Sequence, residues 1–154
     1  MLNVHQFDDQ AKAVLAGAYQ VSQQFSHGMV ESTHFCMALL QQTESIIPVL
    51  LDRLGVDSAA LAARLDELLR AGPAAQNPGD GQRVYVSPSA KWVLSRIAEE
   101  AQQFQEATIM PEHLLLALLR EQDTALAGVL AEFGVTHDRV RTTIQSLRSG
   151  TGQA

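Results

Sequence analysis

Hydrophobic residues recur at helical spacing near the start of the chain. Four of them follow an i, i+4, i+7, i+11 pattern: Val14, Ala18, Val21 and Phe25. This spacing places them on one face of a helix. Asp8 precedes the run, and aspartate is a favoured N-cap residue. The pattern predicts a first helix over residues 8–25. We expect the segment 26–28 to end it, with Gly28 taking the left-handed conformation that closes many helices.

Two short runs are apolar on most sides, at Phe35–Leu40 and Leu114–Leu119. A helix that is apolar all round belongs in a core, so both are predicted to be central and buried. Gly55 and Gly134 are each followed by valine, which is typical of a Schellman-type helix end. Further helices are expected near residues 45–54 and 124–133, and from residues 57, 87 and 136 onward.

The chain is similar to itself. When Phe7 is placed on Val86, the segment 7–69 aligns with 86–148 without a gap, and fifteen positions are identical, including His34 with His113. Self-similarity in a single register indicates a duplicated half-domain. The sequence therefore predicts an all-α fold of eight helices, built as two four-helix repeats related by a pseudo-two-fold axis.

These boundaries define one predicted domain over residues 1–148. Repeat one covers about 7–70 and repeat two about 87–148. Between them, residues 71–86 are rich in Gly, Pro and small polar residues and predict an exposed linker. The last residues, 149–154, contain two glycines and predict a flexible tail.

Composition and charge exclude several classes of partner. The chain is 46% hydrophobic and 18% charged, with a net charge of −6 and 11 basic residues. Scattered basic residues in an acidic chain argue against binding to nucleic acid or to an anionic membrane. Cys36 is the single cysteine, so no internal disulfide can form. The polar start lacks the pattern of a signal peptide. The sequence predicts a soluble, cytoplasmic protein whose isolated domain is monomeric.

Candidate chemistry is sparse. His34 and Cys36 are not spaced as a ligand pair on a helix, so His34 and His113 are predicted to be partly buried histidines that hydrogen-bond nearby backbone. Cys36 lies within an apolar run and is predicted to be a small core residue rather than a nucleophile. The chain has no phosphate-loop motif and no nucleophile-elbow motif. We therefore predict no catalytic residue, no metal and no cofactor.

Acidic residues lie at two predicted helix starts, where Asp8 begins the first helix and Glu112 follows Pro111. Both could simply stabilise the helix dipole. Alternatively, they could line a shallow acidic and apolar groove that receives a basic or unfolded segment of a partner. The residues alone leave both interpretations open.

Several motifs, taken together, resemble the Clp amino-terminal domain. The second repeat carries PEHLLLALLR at 111–120 and LAEFGV at 130–135, after an opening VSPSAKWVL at 86–94. The first repeat carries the matching STHFCMALL at 32–40 and LDRLGV at 51–56. The resemblance extends over almost the whole chain, and its specificity comes from the duplicated set in register.

The resemblance implies a mobile front module of a ring-forming AAA+ unfoldase or disaggregase. Such a module binds unfolded or aggregated substrates and adaptor proteins and delivers them to ATPase modules. The family's functional acidic position corresponds to Glu112 in the second repeat and to Thr33 in the first. ClpC-type domains that bind phosphorylated arginine have glutamate at both places, so Thr33 argues against symmetric phosphoarginine binding. ClpB-type domains bind substrate with a Thr or Ser at the first helix start and a Glu at the second-repeat position. The matching residues here are Asp8 and Glu112, so that pattern transfers in part.

The predicted binding groove lies between the starts of the first and sixth helices. Its residues are Asp8, Glu112, Leu94 and Leu115, with Thr33 at the equivalent position of repeat one. The leading hypothesis is the substrate- and adaptor-binding domain of a Clp-type unfoldase, which either disaggregates proteins or feeds them to a protease. The alternatives are a stand-alone accessory protein that docks on a Clp complex, and a small helical hydrolase or metalloprotein.

Overall fold

The computed structural model describes residues 6–71, 85–121 and 124–151. Within these ranges the chain forms eight helices and two short strands. Repeat one contains α1 Asp9–Gln24, β1 Met29–Val30, α2 Ser32–Leu40, α3 Ile47–Arg53 and α4 Ser58–Ala71. Repeat two contains β2 Tyr85–Val86, α5 Pro88–Gln103, α6 Pro111–Leu118, α7 Ala125–Glu132 and α8 His137–Thr151. The predicted all-α class is confirmed.

Helices α2 and α6 form the centre of the core, as their apolar sequences predict. Every residue of α6 is buried, and so are most residues of α2. They pack against each other, while α1 packs on α2 and α5 packs on α6. Outside this centre, α3 of repeat one contacts α8, and α4 contacts α7 of repeat two. These reciprocal contacts between repeats are what a pseudo-two-fold axis requires.

The strand pairings join the two repeats to each other. Strand β1 pairs in parallel with β2, so Val30 lies beside Val86. At the equivalent place, with the roles of the two repeats reversed, an isolated parallel bridge joins Phe7 to Ile109. The internal alignment relates the two pairings, because it places Phe7 on Val86 and Val30 on Ile109. Each repeat therefore begins by pairing with the loop before the central helix of the other.

Helix ends follow local sequence signals. Asp8 accepts a hydrogen bond from the Ala11 N–H at 2.7 Å, and Ser87 accepts one from the Ala90 N–H at 3.1 Å. Both therefore act as N-caps. Gly55 has a positive φ of 74°, and the N–H after it, at Val56, donates back into the last turn of α3. Gly134 ends α7 in the same way, so both predicted Schellman-type ends are confirmed.

Three expectations need correction. The left-handed residue after α1 is Ser26, with a φ of 57°, and not Gly28. The Schellman turn puts its left-handed residue directly after the C-cap Phe25, where the sequence has serine. The predicted linker ends in a strand at Tyr85–Val86, while residues 72–84 lie outside the described residues. Helix α8 continues to Thr151 instead of giving way to a tail at 149, and 152–154 lie outside the described residues.

Candidate functional site

The two pairings between the repeats create two equivalent helix junctions. We call residues Gln6–Asp8 with Ile109–Glu112 the α1/α6 junction. Residues Tyr85–Ser87 with Val30–Thr33 form the α2/α5 junction. At the first, the Asp8 N–H donates to the Ile109 oxygen at 2.9 Å, and at the second the Ser87 N–H donates to the Val30 oxygen at 3.0 Å. Each junction holds two helix N-termini side by side.

Both predicted acidic residues lie at the α1/α6 junction, and each already has a partner within the domain. Asp8 is half-buried and caps α1. Glu112 lies in the first turn of α6 and is only 3% exposed. Its Oε2 accepts a hydrogen bond from Arg148 Nη2 of α8 at 2.7 Å. The carboxylate of Glu112 is therefore already paired with a guanidinium.

The other predicted site residues are placed as follows. Leu94 of α5 is partly buried and packs on the core. Leu115 is 4% exposed, so it offers little surface to a partner. Thr33 is half-buried at the α2/α5 junction, in the other repeat. The structure thus brings together the starts that carry Asp8 and Glu112 and leaves Thr33 at the second junction.

Each central helix is anchored by its histidine. His113 Nδ1 accepts a hydrogen bond from the Met110 N–H at 2.9 Å, and His34 Nδ1 accepts one from the Glu31 N–H at 2.7 Å. Because Nδ1 is the acceptor, the proton of the neutral ring lies on Nε2. Both histidines are buried. The prediction of buried histidines that bond nearby backbone is confirmed.

The Nε2 atoms of the two histidines face different partners. His113 Nε2 lies 2.8 Å from Glu106 Oε1, whereas His34 Nε2 lies 2.8 Å from His27 Nδ1. Desolvation by burial, together with the nearby His27, lowers the pKa of His34 to about 4. His34 is therefore neutral at physiological pH.

Glu106 extends the junction into a cluster of charges. Its carboxylate accepts two hydrogen bonds from Arg148, Nε to Oε2 at 2.8 Å and Nη2 to Oε1 at 3.2 Å. Partial burial would raise its pKa, but the hydrogen bonds from Arg148 and His113 outweigh burial and hold the pKa of Glu106 below its ordinary value. The hydrogen bonds that Arg148 donates to Glu106 raise the pKa of Arg148, and its hydrogen bond to Glu112 raises it further.

The sequence reasoning did not identify Glu106 and Arg148 as site residues. The internal alignment contained a usable signal, because it places them opposite His27 and Leu69, which carry neither a carboxylate nor a guanidinium. Glu112 lies opposite Thr33 in the same alignment. Two carboxylates and a guanidinium in repeat two thus have no charged counterpart of the same kind in repeat one. A difference confined to one copy of a duplicated fold indicates a local role.

The remaining candidate chemistry is structural. Cys36 is buried, and this burial raises the pKa of its thiol to about 12, so it stays protonated. This agrees with its predicted place in the core. Among residues 6–71, 85–121 and 124–151, no group of three or more His, Cys, Asp or Glu is arranged to hold a metal ion. No helix in the same ranges is long and apolar enough to cross a membrane.

The fold is a duplicated all-helical domain of two four-helix repeats. Strand pairings join the repeats and set helix starts side by side. The chain belongs to the Clp repeat (R) N-terminal domain family, whose model matches residues 6–133 and 98–150. The N-terminal domain after which this family is named is a non-catalytic part of Clp chaperones.

Individual relatives agree with this assignment. The chaperone protein ClpB of Bdellovibrio bacteriovorus is 31% identical over 138 residues, covering 90% of this chain and 16% of that protein. ClpC/MecB of Bacillus subtilis, a negative regulator of genetic competence, is 27% identical over 141 residues, covering 92% and 17%. The N-terminal domain of Hsp104 from Candida albicans matches with a TM-score of 0.78 at 23% identity, covering 92% and 91%. The chain spans about a sixth of the length of these curated relatives.

Proposed function

We propose that this chain is a protein-binding module that captures unfolded segments or adaptor proteins for a Clp-type unfoldase, with the α1/α6 junction as its docking surface. The observation that carries the proposal is the Phe7–Ile109 bridge, which sets the starts of α1 and α6 side by side. Asp8 and Glu112 then lie at adjoining helix N-termini, and Leu94 is proposed to contribute an apolar side chain to this surface. The proposal includes no catalytic residue, metal or cofactor, and assigns the domain to the cytoplasm as a monomer.

Binding at such a surface should be weak and reversible, because a module that delivers proteins must also release them. A micromolar dissociation constant corresponds to about −8 kcal/mol. A partly exposed carboxylate such as that of Asp8 contributes only about 0.2–1 kcal/mol to pairing with a basic partner, and salt reduces that contribution. Apolar contacts must supply most of the affinity, while the carboxylates favour basic segments. Thr33 places a hydroxyl at the equivalent position of the α2/α5 junction, which we propose as the weaker of the two surfaces.

The test is a titration of a fluorescently labelled, permanently unfolded protein into the wild-type domain and into an Asp8→Ala, Glu112→Ala double variant. We expect several-fold weaker binding by the variant, and a smaller difference at moderate salt than at low salt.

A matched control comes from the other junction. Ser87 is the equivalent N-cap, and Glu121 accepts hydrogen bonds there from Ser32 at 2.8 Å and from Ser89. The Ser87→Ala, Glu121→Ala double variant therefore loses one cap and one carboxylate without touching the α1/α6 junction. Equal binding by wild type and the Asp8, Glu112 variant, with helical circular dichroism retained in both, would reduce those residues to helix stabilisers.

A stand-alone accessory protein that docks on a Clp complex is the second candidate, favoured by the same family match. The two differ in whether an ATPase module is joined to this domain in the same polypeptide. Determining the gene sequence on both sides of the region that encodes these 154 residues distinguishes them. A Walker-type ATPase in the same reading frame supports the unfoldase, and its absence supports the accessory protein.

A further inference from the structure

The guanidinium of Arg148 occupies the place that the α1/α6 junction would offer to a basic partner. It bonds Glu112 through Nη2 at 2.7 Å and Glu106 through both Nε and Nη2. A planar guanidinium that bridges two carboxylates makes charge-assisted, directional hydrogen bonds. The side chain of Glu112 is only 3% exposed and is already paired with Arg148, so a cation from a partner would compete with Arg148 for that carboxylate.

Arg148 lies near the end of the last helix, α8. Among the described side chains of α8, Val140 and Ile144 are fully buried, while Leu147 and Arg148 are only partly buried and Ser149 is exposed. The side chain of Arg148 is itself 30% exposed. Terminal helical turns with few buried contacts open at low free-energy cost compared with a core. Releasing Arg148 from the last turn of α8 therefore requires less unfolding than releasing a residue of the core.

The equivalent place in repeat one has no such pair. The internal alignment puts Leu69 opposite Arg148, Thr33 opposite Glu112 and His27 opposite Glu106. Leu69 is 4% exposed and belongs to the core. The fold is therefore compatible with an apolar residue at the position of Arg148. What the charged version adds in repeat two is a guanidinium held over a carboxylate at a helix start.

We propose that Arg148 is an internal competitor that keeps Glu112 closed, and that an arginine side chain of a partner gains this carboxylate by displacing it. This inference rests on the proposed function, since it concerns regulation of the same junction. The measured affinity for an arginine-bearing partner is then the intrinsic affinity reduced by the fraction of molecules in which Arg148 is released. A planar guanidinium can replace Arg148 in kind, whereas a lysine ammonium cannot bridge both carboxylates in the same way.

The competitor is tested with a small probe, N-acetyl-arginine amide, followed by the ¹³C signals of the glutamate carboxyl groups and the ring signals of His113. We expect Arg148→Ala to bind this probe at least fivefold more tightly than wild type, and N-acetyl-lysine amide to gain less. Adding Glu112→Gln to Arg148→Ala should abolish the gain. Arg141→Ala is the matched control, because Arg141 lies on the same helix and its ion pair, with Asp138, is exposed.

Arg148→Met keeps most of the aliphatic stem and serves as a second variant should Arg148→Ala unfold. Equal probe binding by wild type and by whichever folded Arg148 variant is used, or a gain that survives Glu112→Gln, overturns the competitor. These outcomes are independent of the titration with unfolded protein. A tighter probe complex with no role for Asp8 and Glu112 in capture would leave the competitor standing and remove the proposed docking surface. Unchanged probe binding, together with weaker capture by the Asp8, Glu112 variant, would remove the competitor and leave the proposed docking surface standing.

Discussion

The surroundings of the two central histidines differ between repeats that otherwise share one backbone plan. In repeat one, His34 faces the imidazole of His27 at 2.8 Å. In repeat two, His113 faces the carboxylate of Glu106, which is also bonded to Arg148. The Nδ1 hydrogen bond to backbone is the same in both. The backbone contact therefore belongs to the fold, and the group on the far side of the ring is free to vary.

A second position shows the same contrast. Glu100 of α5 is fully buried, accepts a hydrogen bond from Arg120 and lies 3.0 Å from His137 Nε2. The equivalent residue of α1 is Val21, which is 1% exposed in the apolar core. Repeat two thus holds its helices partly through ion pairs that involve a buried carboxylate, where repeat one uses hydrophobic contact. Such pairs rarely stabilise a fold more than well-packed apolar residues do, so stability alone does not explain their presence in repeat two.

The largest expected effect tests what the two repeats share. Leu39 and Leu118 are equivalent, and each is 1% exposed at the centre of the core. Leu39→Asp or Leu118→Asp would bury an unpaired charge at a cost of several kcal/mol, against a total stability of about 5–15 kcal/mol. We expect both variants to lose helical circular dichroism. Val49→Asp, at a side chain 48% exposed on α3, should remain folded. A folded Leu118→Asp with an unchanged melting temperature would refute the central position of α6.

The next effect is the pH dependence of stability, which should arise mainly in repeat one. The pKa of His34 is about 4 in the folded chain against an ordinary value of 6.5. The unfolded chain therefore binds this proton at a higher pH, and the free energy of unfolding falls as pH drops from 6.5 to about 4. At about 1.4 kcal/mol per pKa unit, the loss approaches about 3 kcal/mol. The contribution of Glu106, whose pKa is lowered, is lost only as pH falls below its ordinary 4.5.

His27→Glu converts the pocket of His34 into that of His113 and isolates this effect. We expect the pKa of His34 to rise, because a carboxylate now faces its Nε2, and the loss of stability between pH 6.5 and pH 4.5 to shrink. Denaturant unfolding at both pH values, with ring NMR titration of His34, measures the two quantities. Should His34 titrate identically in the variant, its lowered pKa would not depend on what His27 provides.

The smallest effect is a coupling energy. Thr33→Glu and Leu69→Arg would together copy the Glu112–Arg148 pair into repeat one. Each single variant should be destabilising, since Leu69 is in the core and a new carboxylate at residue 33 would lack a partner. The double variant should recover about 1 kcal/mol relative to the sum of the single effects, a typical coupling for residues in contact. Chemical denaturation of the four proteins gives this value, and strictly additive effects would show that the two positions do not meet as Glu112 and Arg148 do.

Much of the fold could be predicted because local and repeated sequence patterns determine its helices. The local signals act through neighbours a few residues away, as at Asp8, Gly55 and the apolar run of α6. The duplication then allowed the helices of one repeat to be predicted from those of the other. Ser26 could not be chosen over Gly28 by residue preference, since the turn geometry decides which position becomes left-handed. The two-residue strands are too short to show an alternating pattern.

The candidate site was harder to predict because its partners are far apart in sequence. Glu112 could be singled out at a helix start, but its pairing with Arg148 depends on how α8 returns to α6. Residue type alone also suggested that Leu115 would line a groove, whereas packing leaves it 4% exposed. Local patterns report which residues face the core and say little about which charged side chains meet.

Residue-resolved NMR of the ¹⁵N-labelled domain during titration with an unfolded protein tests the central claim most directly. The two junctions have equivalent backbones, so each acts as the internal control for the other. We expect the largest amide shifts at Phe7–Asp8, Ile109–Glu112 and the last turn of α8, with smaller shifts at Val30–Thr33 and Ser87. Shifts concentrated at the α2/α5 junction, or spread evenly over both, would contradict the assignment of the docking surface to the α1/α6 junction.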